Sequence, residues 1–353
     1  MIKYLGSKRR LVPVLARLCE AADARTALDL FTGTTRVAQA FKQTGAHVTA
    51  VDTARYSEVF AQAYITADAA RIDRDALTDA IDALNALPGT PGYFTETFCV
   101  RSRFFQPANG ARVDAVREAI ERDHASTDLY PILLTSLIEA ADRVDSTAGV
   151  QMAYVKEWAP RSYAPLTLRL PELMPGTGTA LRADALDVIG ELPATDLAYL
   201  DPPYNQHRYF TNYHVWETLV AWDAPDHYGV ACKRIDARDA VTKSAFNQRR
   251  AMPDALRRVI AEVSARVVVV SYNDESWVTV DELRDWCAVH GHVEVLNFDS
   301  RRYVGAQIGI HNPKGERVGT VSHVRNQEHV VIAGERGEVR RLVGATEEVT
   351  VGA

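Results

Sequence analysis

The sequence predicts an α/β fold. It reads as an open, mostly parallel sheet, interrupted by a largely helical insertion and followed by a β-rich C-terminal segment. Three observations carry this. Residues 26–52 read as strand, helix, strand. From residue 181, apolar strands alternate with amphipathic helices, and one strand, Val267-Val268-Val269-Val270, is the nearly pure valine expected where both faces are buried. Between them, residues 53–180 show mainly helical periodicity.

In chain order, Thr26-Ala27-Leu28-Asp29-Leu30-Phe31 is a short apolar strand and Thr32-Gly33-Thr34-Thr35 a tight turn rich in helix-capping residues. Val37, Ala38 and Phe41 recur at helical spacing, Gly45 stops that helix, and His47–Asp52 is the next strand. This is half of a nucleotide-binding βαβ pattern. Helices are predicted over 55–66, 74–86, 112–123 and 129–145, with Pro/Gly-rich breaks at 87–92 and 174–178. Then come strands Asp196–Asp201 and Arg266–Ser271, with helices near 213–222, 254–264 and 279–290. In the last 50 residues valines alternate with polar residues around glycines, at Val318–Val324 and His329–Ile332, which predicts hairpins. The resulting division is a catalytic α/β domain from 1–52 and 181–310, an inserted helical region 53–180, and a C-terminal β-hairpin segment 311–353.

A chain of 353 residues fits two domains or one large one. Hydrophobic residues at 47% and charged residues at 24% exclude wholesale disorder and fibrous classes. The net charge of -6, taken alone, speaks against a general nucleic-acid binder. Yet the charge is uneven. Residues 1–50 hold eight basic against three acidic residues, and 233–258 again hold eight against three. This predicts a local basic face on an acidic body, with few phosphate contacts and a shallow salt dependence of binding. No stretch approaches the ~20 apolar residues of a membrane span, and the charged N-terminus lacks the apolar block of a secretory signal. Cys19, Cys99, Cys232 and Cys287 form no C-x-x-C pair, so a reducing cytoplasm is expected and structural zinc is not. His207 and His214 lack a third ligand at metal spacing, and no metal is expected.

The strongest signal is Asp201-Pro202-Pro203-Tyr204, directly after the strand Leu197–Leu200. These residue types suit methylation of a planar amine. The exocyclic amino group of adenine is a poor nucleophile because its lone pair is delocalised into the ring. The Asp201 carboxylate and the Pro202 carbonyl can accept its two hydrogens, drawing the nitrogen toward tetrahedral geometry. Pro203 helps fix the backbone, and Tyr204 offers a flat face for an extruded base. Asp52, 19 positions after Gly33, suits the hydroxyls of a ribose. Asp29, Asp52, Asp201 and Ser271 all fall at strand C-termini, where ligands gather in open α/β sheets. Arg103-Phe104-Phe105-Gln106-Pro107-Ala108-Asn109-Gly110-Ala111-Arg112 interleaves basic and aromatic residues around an expected Asn-Gly turn. It suits contact with a nucleic acid through Arg103, Asn109 and Arg112, or equally a core pair of phenylalanines with solvated arginines.

With these motifs in this order, the chain resembles the Dam-like adenine-specific DNA methyltransferases of restriction-modification systems. The similarity runs over nearly its whole length and follows the order of their alpha group. The resemblance implies a Rossmann-like sheet and S-adenosylmethionine as cofactor. It implies double-stranded DNA as partner, with 53–180 as the target-recognition region, and a restriction endonuclease encoded nearby. A monomer without membrane association is expected. Lys3-Tyr4-Leu5-Gly6-Ser7-Lys8 resembles the family's N-terminal cofactor motif, with Lys8 pairing to the cofactor carboxylate and Tyr4 lining its pocket. Asp29-Leu30-Phe31-Thr32-Gly33-Thr34-Thr35 resembles its glycine loop, with Thr35 where a second glycine usually stands. Asp184 resembles the acidic residue near the cofactor's adenine ring, and Ser271–Glu275 a motif at a neighbouring strand end. Arg301-Arg302-Tyr303-Val304-Gly305 resembles a late motif expected near the DNA backbone. Tyr209–His214 could cover the flipped base or form the apolar face of the next helix. The alternatives are the same chemistry on RNA adenine, cytosine or a protein glutamine, or a non-catalytic DNA-binding relative.

Overall fold

Seven strands form the central sheet: β1 Thr26–Asp29, β2 His47–Asp52, β3 Gly178–Arg182, β4 Thr195–Leu200, β5 Ala265–Asn273, β6 His292–Arg301 and β7 Arg325–Gly334. The computed structural model describes residues 1–353 except 7, 153, 155–156, 204–207, 275, 302–309, 312–316, 320–324, 348 and 350–353. At 299–301, 310–311, 317–319 and 325–326 it describes the backbone alone. The strand order is β3-β2-β1-β4-β5-β7-β6. The first five run parallel, while β7 pairs antiparallel with both β5 and β6. This is the Rossmann-like α/β sheet that the sequence predicts.

Alternation along the strands sends side chains to two apolar layers. Leu197, Tyr199, Val267 and Val269 face one layer, with Leu15 and Leu18 of the helix Val12–Ala21 and Phe41 of the helix Arg36–Gln43. Ala198, Leu200, Val268 and Val270 face the other, with Leu256 and Val259 of the helix Met252–Glu262 and Leu283 of the helix Val280–Cys287. The valine run is therefore buried on both sides, as its composition demands.

The predicted insertion is helical, with helices Arg55–Ala61, Arg74–Ala86, Pro107–His124 and Tyr130–Arg143. Its apolar faces, including Phe94, Phe98, Phe104, Phe105, Ile132 and Leu137, join the first layer in one continuous core. The expected Asn109-Gly110 turn is instead the first turn of a helix begun by Pro107, a residue suited to that position. Gly110 is needed there for close packing, because a Cβ would collide with Cys99 Sγ.

The C-terminal hairpin expectation needs correction. His329–Ile332 lies in β7, within the central sheet, and a short antiparallel pair joins Ile310–His311 to Arg317–Gly319. The chain then forms a helix, Arg336–Thr346, whose Val339, Leu342 and Thr346 are buried. Their spacing is helical, and Glu335 caps the helix by accepting from Glu338 N at 2.9 Å. Strands β3 and β6 are further elements that the sequence pattern does not predict, and β3 ends the insertion at 177 where 180 was expected. Among the described residues, no helix is long and apolar enough to cross a membrane.

Candidate active site

The strand order reverses between β1 and β4, and their C-terminal ends open a crevice there. A cleft of about 490 Å³ occupies it, lined among others by Tyr4, Phe31, Gly33, Asp52, Asp184 and Asp201. The sheet thus gathers most of the residues expected at a cofactor and substrate site, from segments far apart in sequence.

The loop after β1 is held from below. Asp29 is buried, and its Oδ2 accepts from Thr32 Oγ1 at 2.9 Å and from Ala38 N at 3.1 Å. Its Oδ1 is buried with no hydrogen-bond partner. Burial therefore pushes the Asp29 carboxyl up to about 7 against the opposing bond from Thr32. Asp29 serves as the anchor beneath the loop. Gly33 has φ +53 and donates its N–H to Asp52 Oδ2 at 2.9 Å. A Cβ there would lie 3.1 Å from Tyr4 Cε1, so the glycine permits close approach of the N-terminal segment. Thr35 adopts φ +62, the left-handed region that favours glycine. It is held by Oγ1 bonds to Thr34 O at 2.6 Å and from Gln39 Nε2 at 2.9 Å. The departure from a glycine thus keeps the backbone shape and adds strain to it.

Asp52 uses its second oxygen to accept from Ala54 N at 2.9 Å, and burial raises its pKa. Asp184 lines the cleft and caps the short helix Ala185–Val188 through a bond from Leu186 N at 2.9 Å. Phe31 meets Phe246 edge to face, with ring centroids 4.9 Å apart, and forms one apolar wall.

The N-terminal strap crosses the strand ends. Tyr4 stacks on Tyr213 at 4.6 Å and on Tyr209 at 5.3 Å, and Leu5 N donates to Tyr213 Oη at 2.7 Å. Lys8 departs from expectation. It is buried, and its ammonium lies 3.0 Å from Asp201 Oδ1 and 3.6 Å from Glu328 Oε2. It therefore pairs with the carboxylate after β4, where a cofactor carboxylate was expected. Ser271 Oγ, at the end of β5, also donates to Asp201 Oδ1 at 3.1 Å and shares a 2.8 Å bond with Tyr199 Oη. Burial raises the Asp201 pKa and the Lys8 charge opposes that rise. Among the described residues, Lys8 and Ser271 both engage Oδ1, which leaves Oδ2 for an incoming donor. Pro202 is buried and Pro203 lines the cleft, while Tyr204 lies outside the described residues.

The expected nucleic-acid residues are not brought to the cleft. Asn109 is buried and internal. Its amide donates to Ser162 O and Ala164 O at 3.1 and 2.9 Å and accepts from Leu166 N at 2.9 Å. Arg112 donates to Leu87 O, and Arg103 sits over the Trp158 ring at 4.8 Å. Phe104 and Phe105 are core. Arg302 and the Arg301 side chain lie outside the described residues, as does His207. His214 is buried, bonded through Nε2 to Gln151 O at 2.9 Å, and held neutral by burial.

Sequence reading missed Glu217 and Arg234. Glu217 Oε1 accepts from Arg55 N at 2.7 Å at the start of the helix Arg55–Ala61, and burial pushes its carboxyl up to about 7. Arg234 is buried, paired to both oxygens of Asp223 at 2.7 Å and to Asp236 Oδ2 at 2.7 Å. Neither sits in a local motif, and only the fold reveals them.

The family model described as D12 class N6 adenine-specific DNA methyltransferase matches residues 4–286, from the strap through most of the sheet. The chain is 27% identical over 338 residues to the type II methyltransferase M.NlaIII of Neisseria lactamica, covering 92% of this chain and 98% of that protein. It is 30% identical over 242 residues to the type II methyltransferase M.CviAII of Paramecium bursaria Chlorella virus 1, covering 65% and 71%. It is 26% identical over 323 residues to the type II methyltransferase M.FokI of Planomicrobium okeanokoites, covering 86% of this chain and 49% of that protein.

Proposed function

The chain belongs to the D12 class N6 adenine-specific DNA methyltransferase family, and on that premise we propose how its cleft carries out adenine-specific DNA methylation. S-adenosylmethionine, when bound, supplies an electrophilic methyl group. The chemistry of the cleft lining supports its fit: an apolar wall at Phe31, a loop left without a side chain at Gly33, and carboxylate acceptors at Asp52 and Asp184. Gly33 and Phe31 shape the cleft floor, Tyr4 closes it from the strap, and Asp52 and Asp184 offer acceptors to ribose and adenine groups. Asp29 holds the loop from beneath through Thr32 and Ala38.

The target adenine leaves the duplex and stacks on Tyr204. Asp201 Oδ2 and the Pro202 carbonyl accept its two amino hydrogens and free the nitrogen lone pair for attack. Lys8 and Ser271 fix the carboxylate through Oδ1, so the acceptor does not reorient during the reaction. The nitrogen gains a methyl group and gives up one proton, for which Oδ2 is the nearest base. Positioning and hydrogen bonding supply the catalysis. The helical insertion, expected over 53–180, is the target-recognition region, and a cognate endonuclease encoded nearby is the expected companion.

One observation carries this reading. Asp201 stands in the cleft at the switch point, with one oxygen tied down by buried partners. The test is label transfer from the methylated cofactor to duplex DNA. Wild type should label adenine, and Asp201→Ala should lose transfer while still binding cofactor. Full transfer by Asp201→Ala would sink the mechanism.

A further inference from the structure

Of the side chains expected to meet DNA, Asn109 is buried, Arg103 and Arg112 are half-buried against Trp158 and Leu87, and Arg302 and the Arg301 side chain lie outside the described residues. Two exposed arginines line the cleft from other elements, Arg55 beside Glu217 and Arg182 beside Glu58. A denser group of exposed cations stands on the connection between the helix His214–Ala221 and the helix Met252–Glu262. This connection contains the antiparallel pair His227–Tyr228 and Lys233–Arg234, then short turns Ile235–Arg238, Ala240–Thr242 and Ala245–Asn247. Asp236, Asp239, Val241, Thr242, Ser244 and Asn247 all line the cleft, so the segment forms one of its rims.

The rim is built and fixed. Arg234 locks it from within through Asp223 and Asp236. Arg208, just beyond the Asp201 loop, donates to Ala237 O at 2.6 Å and ties the rim to the catalytic strand end. Phe246 packs on Phe31 of the cofactor loop. On this frame Arg238, Lys243, Arg249 and Arg250 are exposed, with Arg238 over the Tyr228 ring at 4.0 Å. Asp239 is the exposed acid among them, and Asp236 is already paired with Arg234. Among these cations, at the cleft itself, Val241 is 91% exposed. A scattered surface valine means little. This one tops a fixed turn beside the cleft that must receive an extruded base.

We propose that the rim 235–250 is a DNA-contacting wall. Lys243, Arg249 and Arg250 neutralise phosphates flanking the target adenine, and Val241 enters the stack in the space that adenine vacates. Apolar side chains used as wedges between base steps act in this way. The proposal rests on the adenine-methylation reading above, and it assigns the side from which duplex DNA enters.

The test uses full-length protein and a duplex containing the target adenine. Lys243→Gln, Arg249→Gln and Arg250→Gln should each lower the slope of log affinity against log salt by about 0.9 for every phosphate no longer neutralised, with cofactor affinity unchanged. Val241→Ala should lower kcat on paired duplex by about tenfold, the factor set by one buried apolar side chain. It should recover on a duplex with an abasic site opposite the target, where extrusion is already easy. Val241→Leu should keep activity, and 2-aminopurine at the target should report less extrusion in Val241→Ala alone. Unchanged salt slopes in all three Gln variants would overturn the phosphate role. Full activity of Val241→Ala on paired duplex would overturn the wedge. Wild-type transfer in the same assay separates either failure from failure of the methylation reading itself.

Discussion

Replacing Asp29 by Asn should make stability less dependent on pH. In the native protein this carboxyl is buried under the loop, with one oxygen bonded to Thr32 and Ala38 and the other unpartnered. Its pKa rises from about 4 in the unfolded chain to about 7 on folding. A raised folded pKa means that the contribution is fully present below about pH 4 and is lost as pH rises through about 7. A difference of about 3 in pKa is worth about 4 kcal/mol once both states are ionised, near pH 8. At pH 5, where only the unfolded chain is largely ionised, the loss is about 1.4 kcal/mol. The native protein should therefore lose about 2.5 kcal/mol between pH 5 and 8 that Asp29→Asn does not lose. The amide can keep the bonds from Thr32 and Ala38, and its buried NH2 replaces one orphan with another, which offsets the comparison equally at every pH. Asp142 and Glu217, also raised by burial to about 6 and about 7, titrate in both proteins and cancel. Urea midpoints at pH 5 and 8 measure the effect, and a relative movement of roughly 1 M is expected. Parallel pH curves for the two proteins would refute the assignment of an ionising Asp29.

Other expectations follow from the same geometry. Ser271→Ala removes a donor to the Asp201 carboxylate, so the Asp201 pKa should rise and the acid limb of the kcat–pH profile should move to higher pH. Ser271→Thr should restore the profile, and an unmoved acid limb counts against the positioning role. Gly33→Ala forces φ +53 on a residue with a Cβ and presses on Tyr4, at a cost of about 1–2 kcal/mol. It should lower the melting temperature by a few degrees, and calorimetry should show weaker cofactor binding. Thr35→Val keeps the left-handed strain and loses both Oγ1 bonds, about 1–3 kcal/mol in all. Thr35→Gly relieves the strain while losing the same bonds, so it should denature close to wild type, and the two variants should differ clearly in urea.

Much of the sheet was legible because its signals are local. The turn Thr32–Thr35, the valine run of β5 and the Asp201 loop each follow from a few neighbouring residues, and the turn and the Asp201 loop lie at strand C-termini as expected. The insertion's helices were legible for the same reason. Strand β3 was missed because its first residue closes the Pro/Gly-rich break 174–178, and strand β6 because it carries no clean alternation; the last helix was missed because valine alternation near the C-terminus suggested hairpins. In Arg336–Thr346, Val339, Leu342 and Thr346 recur at helical spacing, and the Glu335 cap settles the choice of period.

The site was legible as a set of residues but not as a set of partners. Lys8 looked like a ligand for a cofactor carboxylate because it carries a charge in the right motif. The partner it has within the protein depends on which strand ends the fold brings under the strap, and no local pattern encodes that. The same holds for Ser271, 70 residues from Asp201, and for Arg117, whose guanidinium reaches Leu219 O across 102 residues. Asn109 failed for a related reason. Polar residues next to aromatics suit either a nucleic-acid surface or a buried amide that satisfies loop carbonyls, and burial alone decides between them. The same test gives weight to the rim. Its cations are exposed and the apolar tip Val241 is bare, while the buried Arg234 beneath them has its guanidinium charge met by Asp223 and Asp236. A wall that pairs its buried charge and turns its outer charges to solvent is built to meet a charged partner from outside, and the uneven sequence charge had already pointed to residues 233–258.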